Sequence, residues 1–235
     1  MIRIGQLEIG NGQPKICVPL MGSHRDKLLE ELSMLEGYDL VEWRADYFEG
    51  DIIEMSSLLK EALGETPMLL TFRSVAEGGR EWISKERFLE IVAHATYDVI
   101  DIELFFSEIK TAISLAHERQ KLVLVSSHDF EQTPPTQIMK GRILHMEKLG
   151  ADICKIAVMP KTVEDVLGLL QATVEAKKIT EVPLVTVAMG ELGLISRVSG
   201  GLFGSDITFA KGAFASAAGQ IEVGEMKTLM GYFMV

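Results

Sequence analysis

The sequence predicts an α/β protein, a (β/α)8 barrel of the TIM type with an N-terminal β-hairpin closing one end. Three observations carry that expectation. Short apolar runs rich in β-branched residues recur eight times along 235 residues, amphipathic segments with helical spacing lie between them, and the runs are apolar almost without interruption. Strands that read this way are covered on both faces, as parallel strands flanked by helices are.

Taken in order, residues 1–9 alternate weakly in polarity and run into Gly10-Asn11-Gly12, which reads as the turn of a hairpin. Strands are expected over 16–21, 40–43, 68–72, 99–104, 122–126, 153–158, 184–189 and, with a weaker signal, 207–209. Helical spacing is plain at Leu28, Leu29, Leu32 and Leu35 before Gly37, and at Phe88, Leu89, Val92 and Ala95. It recurs at Ile109, Ala112, Ile113 and Ala116, and at Val163, Val166, Leu167 and Leu170, where Thr162 with Asp165 three residues on forms an N-terminal cap. Alternating strands and helices imply parallel pairing through right-handed crossovers. The rival, an open doubly wound sheet, lacks its phosphate-binding signals: no G-x-G-x-x-G follows the first strand and no G-x-x-x-x-G-K-[ST] is present. With no linker or low-complexity tract, residues 1–235 are expected to form one barrel domain.

The composition, 47% hydrophobic and 24% charged, suits one large core. A formal net charge of −11 argues against a nucleic-acid or anionic-membrane partner but leaves an anionic small molecule open, since a few arginines can make a concave site positive. Cys17 and Cys154 lie in apolar runs without the spacing of a zinc or redox motif, and are expected to be reduced and buried. No signal-peptide core or stretch of transmembrane length is apparent, which makes the cytoplasm the expected location.

Barrel enzymes carry their chemistry at the C-terminal ends of strands, and polar residues gather at those positions. They are Glu42 and Arg44; Arg73, with Glu77 beyond; Asp101 and Glu103; His128; Lys155; and, after the last two strands, Arg197, Ser216 and Gln220. Lys155 is the most informative, because an ammonium ion inside a strand buried on both faces is costly. Burial favours the neutral amine and makes Lys155 a candidate Schiff-base nucleophile toward a ketone; the plainer reading is a buried stem whose head reaches a carboxylate. His128 suits proton transfer next to an imine, and Glu77 is placed to orient it if the third and fifth strand loops meet. Asp101 and Glu103 could simply neutralise the arginines. The arginines, Ser216 and Gln220 supply donors for a carboxylate and hydroxyls. No metal-ligand spacing is present, and His117-Glu118 lacks the second histidine of a metalloprotease helix. These parts suit a lyase without metal or cofactor, acting on a polyhydroxylated keto acid.

Glu42-Trp43-Arg44, Thr71-Phe72-Arg73 with Glu77-Gly78-Gly79, Ser127-His128-Asp129-Phe130 with Thr133-Pro134, Lys155-Ile156-Ala157, Met189-Gly190 to Ser196-Arg197, and Ser216 to Gln220 together resemble the type I 3-dehydroquinate dehydratases, collinearly and over essentially the whole chain. The resemblance implies dehydration of 3-dehydroquinate to 3-dehydroshikimate in the shikimate route to aromatic compounds. It implies Lys155 as the Schiff-base lysine, His128 as general acid/base and Glu77 as its support. Glu42, Arg44 and Arg73 would hold substrate hydroxyls, while Arg197, Ser216 and Gln220 would grip the carboxylate and ring. A homodimer and a mobile loop around Ser216 are implied as well. Two positions depart from the family pattern: Pro19 stands where some members have a substrate-reaching serine, and Ala218 replaces a proline common in the loop. The alternatives are a class I Schiff-base aldolase or transaldolase, for which no dedicated phosphate loop is evident, and a non-catalytic hydroxy-acid-binding barrel, which would not need a nucleophile beside a proton shuttle.

Overall fold

The computed structural model of the chain describes residues 1–233. Strands β1 (Ile2–Ile4) and β2 (Leu7–Ile9) form the antiparallel N-terminal hairpin. Its turn is Gly5-Gln6, with Gly5 at φ +58°, in the left-handed region that two-residue hairpin turns use and glycine enters without strain. The Gly10-Asn11-Gly12 stretch, expected to make that turn, instead bends the chain from the hairpin toward the barrel.

The barrel then alternates as expected. Its elements are β3 (Lys15–Leu20), α1 (Arg25–Ser33), β4 (Leu40–Arg44), α2 (Ile52–Leu63), β5 (Met68–Thr71), α3 (Lys85–His94), β6 (Val99–Glu103), α4 (Ile109–Glu118), β7 (Leu122–Asp129), α5 (Thr136–Leu149), β8 (Ile153–Val158), α6 (Val163–Lys177), β9 (Leu184–Ala188), α7 (Leu194–Phe203), β10 (Ile207–Phe209) and α8 (Val223–Gly231). All eight expected strands are present in one parallel sheet, ordered β10-β3-β4-β5-β6-β7-β8-β9. Strand β7 runs on to Asp129, because Ser127, His128 and Asp129 pair with Ile156, Ala157 and Val158 of β8; His128 is therefore a strand residue, not a loop residue. Thr162 and Asp165 form a reciprocal capping box on α6.

Side chains alternate across each strand, so residues two apart share a face. Cys17, Leu40, Leu69, Val99, Leu124, Ile153, Val185 and Ile207 make an apolar layer inside the barrel, and Ile4 and Ile9 of the hairpin pack into the same cluster, closing its N-terminal end. Two residues further along the same faces stand Glu42, Thr71, Asp101, Ser126 and Lys155, and two further still Arg44, Arg73, Glu103 and His128. The barrel interior thus changes from apolar to polar within one layer. The opposite strand faces meet the helices in a second, larger apolar core around Trp43, Leu70, Ile100, Val125 and Ile156.

The seam between β9 and β10 is closed differently from the other strand pairs. Leu184 N–H donates to Asp206 Oδ2 at 2.8 Å and Thr186 N–H to Ser205 Oγ at 3.1 Å, while Asp206 N–H donates to the Leu184 carbonyl at 2.6 Å. Side chains here satisfy buried backbone donors that a neighbouring strand would otherwise satisfy. Among the described residues no helix is long and apolar enough to cross a membrane.

Candidate active site

A cavity opens at the C-terminal end of the barrel. Lys155, His128, Glu77, Glu42, Arg44, Arg73, Arg197, Ser216 and Gln220 all line it, while Asp101 and Glu103 pair with Arg73 without lining it.

Lys155 forms the floor. Its side chain is buried, with Nζ 3.7 Å from Glu42 Oε1, 3.8 Å from Asp101 Oδ2 and 4.3 Å from the centre of the Phe209 ring. The head group approaches two carboxylates, as the plainer reading of this lysine expects, and it also faces the cavity. Glu42 is itself fixed by the Thr71 hydroxyl, which donates to Oε1 at 3.0 Å.

His128 lies against Glu77, whose short helical turn follows β5 and is capped by the Ser74 hydroxyl. Phe130 stacks on the imidazole with centroids 6.2 Å apart. Gly78 gives that ring its room: at φ +84°, a Cβ there would stand 2.6 Å from the Phe130 ring. Burial is the main force on both members of the pair. It holds His128 well below its ordinary value, assisted by the positive charges of Arg73, Lys155 and Arg44. It pushes Glu77 up to about 8, with Arg73 opposing the rise and Glu103 and Asp101 adding to it.

Arg73 is more of a hub than the sequence suggests. Nη1 donates to Ser126 Oγ at 2.9 Å and Glu103 Oε1 at 3.2 Å, and Nη2 pairs with Asp101. Burial opposes its charge, but Asp101, Glu103 and Glu77 outweigh that penalty and raise its pKa. Asp101 and Glu103 do neutralise an arginine, and in doing so they hold it at the cavity wall. Arg44 is likewise anchored, by a bidentate pair with Asp46 in which both contacts are 2.8 Å. Nothing in the one-dimensional pattern marks Asp46; its role comes from a contact between loops.

Arg197, on the inner face of α7, has no carboxylate within salt-bridge distance among the described residues. Nη1 donates to the Phe209 carbonyl at 3.3 Å and Nη2 to the Ala218 carbonyl at 3.0 Å, while the buried Nε has no partner. Burial alone pushes its pKa down to about 10. A buried guanidinium of this kind is a ready receptor for an anionic group. The loop after β10 arches over it. Gln220 Oε1 accepts the Ser216 N–H at 2.7 Å, the Ala218 carbonyl accepts the Gly190 N–H at 3.2 Å, and Gly219, at φ +78°, sits so close that a Cβ would lie 2.3 Å from the Gly190 oxygen. The remaining wall is apolar, from Ala157, Val187, Met189 and Phe209. Val187 and Phe209 lie inside runs that read simply as core, and Ala157 and Met189 stand out in the sequence only within the matching motifs, with no role at the site implied. No cluster of three or more His, Cys, Asp or Glu side chains among the described residues could hold a metal ion.

An amine, an imidazole against a carboxyl group, and a guanidinium with no carboxylate beside it among the described residues surround one cavity; such groups are chemically capable of imine formation, proton transfer and binding of an acid. A sequence profile of the type I 3-dehydroquinases matches residues 16–234. The 3-dehydroquinate dehydratase of Clostridium novyi (strain NT) is 43% identical over 97% of this chain and 96% of its own length. Among solved structures, the type I 3-dehydroquinate dehydratase of Clostridium difficile, determined with covalent modified comenic acid, superposes with a TM-score of 0.94 at 38% identity, covering 99% of this chain and 97% of that one. The 3-dehydroquinate dehydratase of Enterococcus faecalis gives 0.92 at 37% identity over 100% of both chains.

Proposed function

The chain belongs to the type I 3-dehydroquinase family, and from that premise we propose that Lys155 is its Schiff-base nucleophile and His128 its proton shuttle. The enzyme dehydrates 3-dehydroquinate to 3-dehydroshikimate in the shikimate route to aromatic compounds.

The Lys155 amine adds to the substrate ketone, and the carbinolamine loses water to give an iminium ion. Glu42 and Asp101, within 4 Å of Nζ, stabilise that cation. His128 then takes a proton from the carbon next to the iminium; the electron pair moves into the iminium and leaves an enamine. The enamine expels the β-hydroxyl, which takes a proton from His128 and departs as water. A second water molecule hydrolyses the conjugated iminium, releasing the enone and the free amine. The net change is the loss of one water. Arg197 receives the substrate carboxylate, Ser216 and Gln220 close over it, and Arg44, Arg73 and Glu42 face the hydroxyls. Glu77 orients and charge-tunes His128.

The observation that carries this reading is that Lys155 and His128 face one cavity. Borohydride reduction in the presence of 3-dehydroquinate, followed by peptide mapping, tests it. A reduced adduct on Lys155 is expected; a folded, active protein with no adduct there would overturn the assignment.

We also take residues 1–235 as a single domain and the enzyme as a cytoplasmic homodimer. Cys17 and Cys154, both free and buried, fit a reducing compartment. Exposed Val163, Leu167, Leu192, Ile195 and Leu202 form an apolar face along α6 and α7 that a second copy would cover. Sedimentation at twice the 26.0 kDa chain mass is expected, reverting to one chain mass in Leu167→Lys/Leu202→Lys. A parent protein that sediments as one chain would rule the dimer out.

A further inference from the structure

Asp46 lies just beyond β4, is 1% exposed and does not line the cavity, yet four donors converge on its carboxylate. Oδ1 accepts Arg44 Nε at 2.8 Å and the backbone N–H of Arg73 at 3.4 Å; Oδ2 accepts Arg44 Nη2 at 2.8 Å and the backbone N–H of Arg80 at 3.3 Å. Each oxygen therefore has two donors, which exhausts what a carboxylate can accept. Nothing is left for substrate or water.

We propose that Asp46 is a positioning residue that acts in two directions, setting the Arg44 guanidinium against the substrate and fixing the ends of the loop that brings Glu77 to His128. The inference rests on the functional reading above. The first direction follows from the bidentate pair together with the Tyr47 ring, whose centroid lies 5.0 Å from Arg44 Cζ. Held on one edge by Asp46 and on one face by Tyr47, the guanidinium has one orientation. The second follows from the positions of the two backbone donors. Arg73 and Arg80 bracket Glu77, and the loop between them closes tightly on itself: Gly79 N–H donates to the Ser74 carbonyl at 2.7 Å, and a Cβ on Gly79 would lie 1.8 Å from the Arg73 oxygen. A loop this tight carries little slack, so holding its ends sets the Glu77 carboxylate 2.8 Å from His128 Nδ1.

An amide cannot replace this carboxylate. In either orientation of an asparagine, its NH2 group would face one Arg44 donor and one backbone N–H, so nearly isosteric Asp46→Asn should act as a disruptive change. Steady-state kinetics with 3-dehydroquinate between pH 6 and 9 test the proposal in four proteins: the parent, Asp46→Asn, Arg44→Ala and the double variant. Asp46→Asn is expected to raise KM by about tenfold or more, the loss of one charge-assisted contact. It should also move the acid limb of the kcat profile to lower pH. In the Arg44→Ala background the KM effect should vanish and the limb shift persist. KM and pH profile both matching the parent, whatever the melting temperature, would overturn the proposal, as would a KM effect undiminished without Arg44. An inactive parent would instead sink the functional reading and this inference with it. Should Asp46→Asn fail to fold, Arg80→Pro deletes one of the four donors and is expected to move the limb with KM unchanged; a folded Arg80→Pro protein with the parent's pH profile would refute the loop half of the proposal.

Discussion

Oε2 of Glu77 lies 2.8 Å from Nδ1 of His128 and accepts the backbone N–H of the same residue at 3.1 Å. One oxygen thus engages both the strand and the ring. With His128 held low and Glu77 pushed up to about 8, a single proton is shared across the pair near neutral pH, as carboxylic acid against imidazole or carboxylate against imidazolium. In both forms Nε2 carries hydrogen and is a donor. Losing the shared proton is what exposes the Nε2 lone pair for taking a proton from carbon.

The rate of proton abstraction should therefore rise with pH through about 8 in the parent enzyme. In Glu77→Gln the amide oxygen accepts Nδ1–H, and His128 needs only to be neutral, so the acid limb should move to lower pH. Single-turnover rates from pH 6 to 9 measure this. An unmoved limb would show that Glu77 does not tune His128.

Stability should respond to the same carboxyl. A folded-state pKa above the unfolded value means the folded protein holds a proton that the unfolded chain releases. The contribution is present below the ordinary carboxyl value of 4.5 and is lost as pH rises toward about 8. Glu77→Gln removes that loss, so its unfolding free energy relative to the parent should climb between pH 5 and 8, by at most about 1.4 kcal/mol per pH unit, as chemical denaturation at each pH would measure. A constant difference across that range would contradict the burial of an ionised Glu77 as its cause.

Lys155→Ala should form no reducible adduct and lose nearly all turnover. His128→Ala should still trap substrate slowly while kcat falls by about 10² to 10⁴. Mass spectrometry of borohydride-treated variants beside their turnover rates separates the two roles. An adduct in Lys155→Ala would transfer the nucleophile elsewhere.

Arg197 should show function opposing stability. Its charge is buried without a carboxylate, so Arg197→Met should raise the melting temperature, while the lost contact to the substrate carboxylate weakens binding by about 1.5–3 kcal/mol. Calorimetric unfolding and substrate titration give both numbers. A variant that binds normally would take Arg197 out of the site.

Ala218→Pro is expected to fold, because the Ala218 N–H has no partner among the described residues and only its carbonyl is used. Proline would restrict the open loop, lowering KM modestly and protecting the 212–221 segment from proteolysis with kcat little changed. Equal protease sensitivity and equal KM would show that the loop is not loosened by alanine.

The strands were legible because burial on both faces leaves an unbroken apolar run, and the nine candidate residues that line the cavity because polar groups stand out at or beyond the ends of such runs. Contacts between distant segments left no such mark. Asp46 looks like any acidic residue after a strand, and the gathering of three carboxylates around Arg73 is not visible from its place in the chain. The hairpin turn was misplaced because Gly10-Asn11-Gly12 has stronger turn chemistry than Gly5-Gln6, while three-residue strands show too little alternation to fix their register. Helices α2, α5, α7 and α8 were not singled out; in α5 and α7, glycines dilute the apolar stripe.

Closure of the barrel between β9 and β10 has no strand ladder behind it. At other seams carboxylates such as Asp39, Asp98 and Asp152 also accept a strand N–H, but there they add to strands already paired through backbone. At this joint Ser205→Ala or Asp206→Ala would remove an acceptor from Thr186 or Leu184 by changing a side chain alone. Such a change meets no backbone ladder to compensate for it, and it falls beside the helix that carries Arg197.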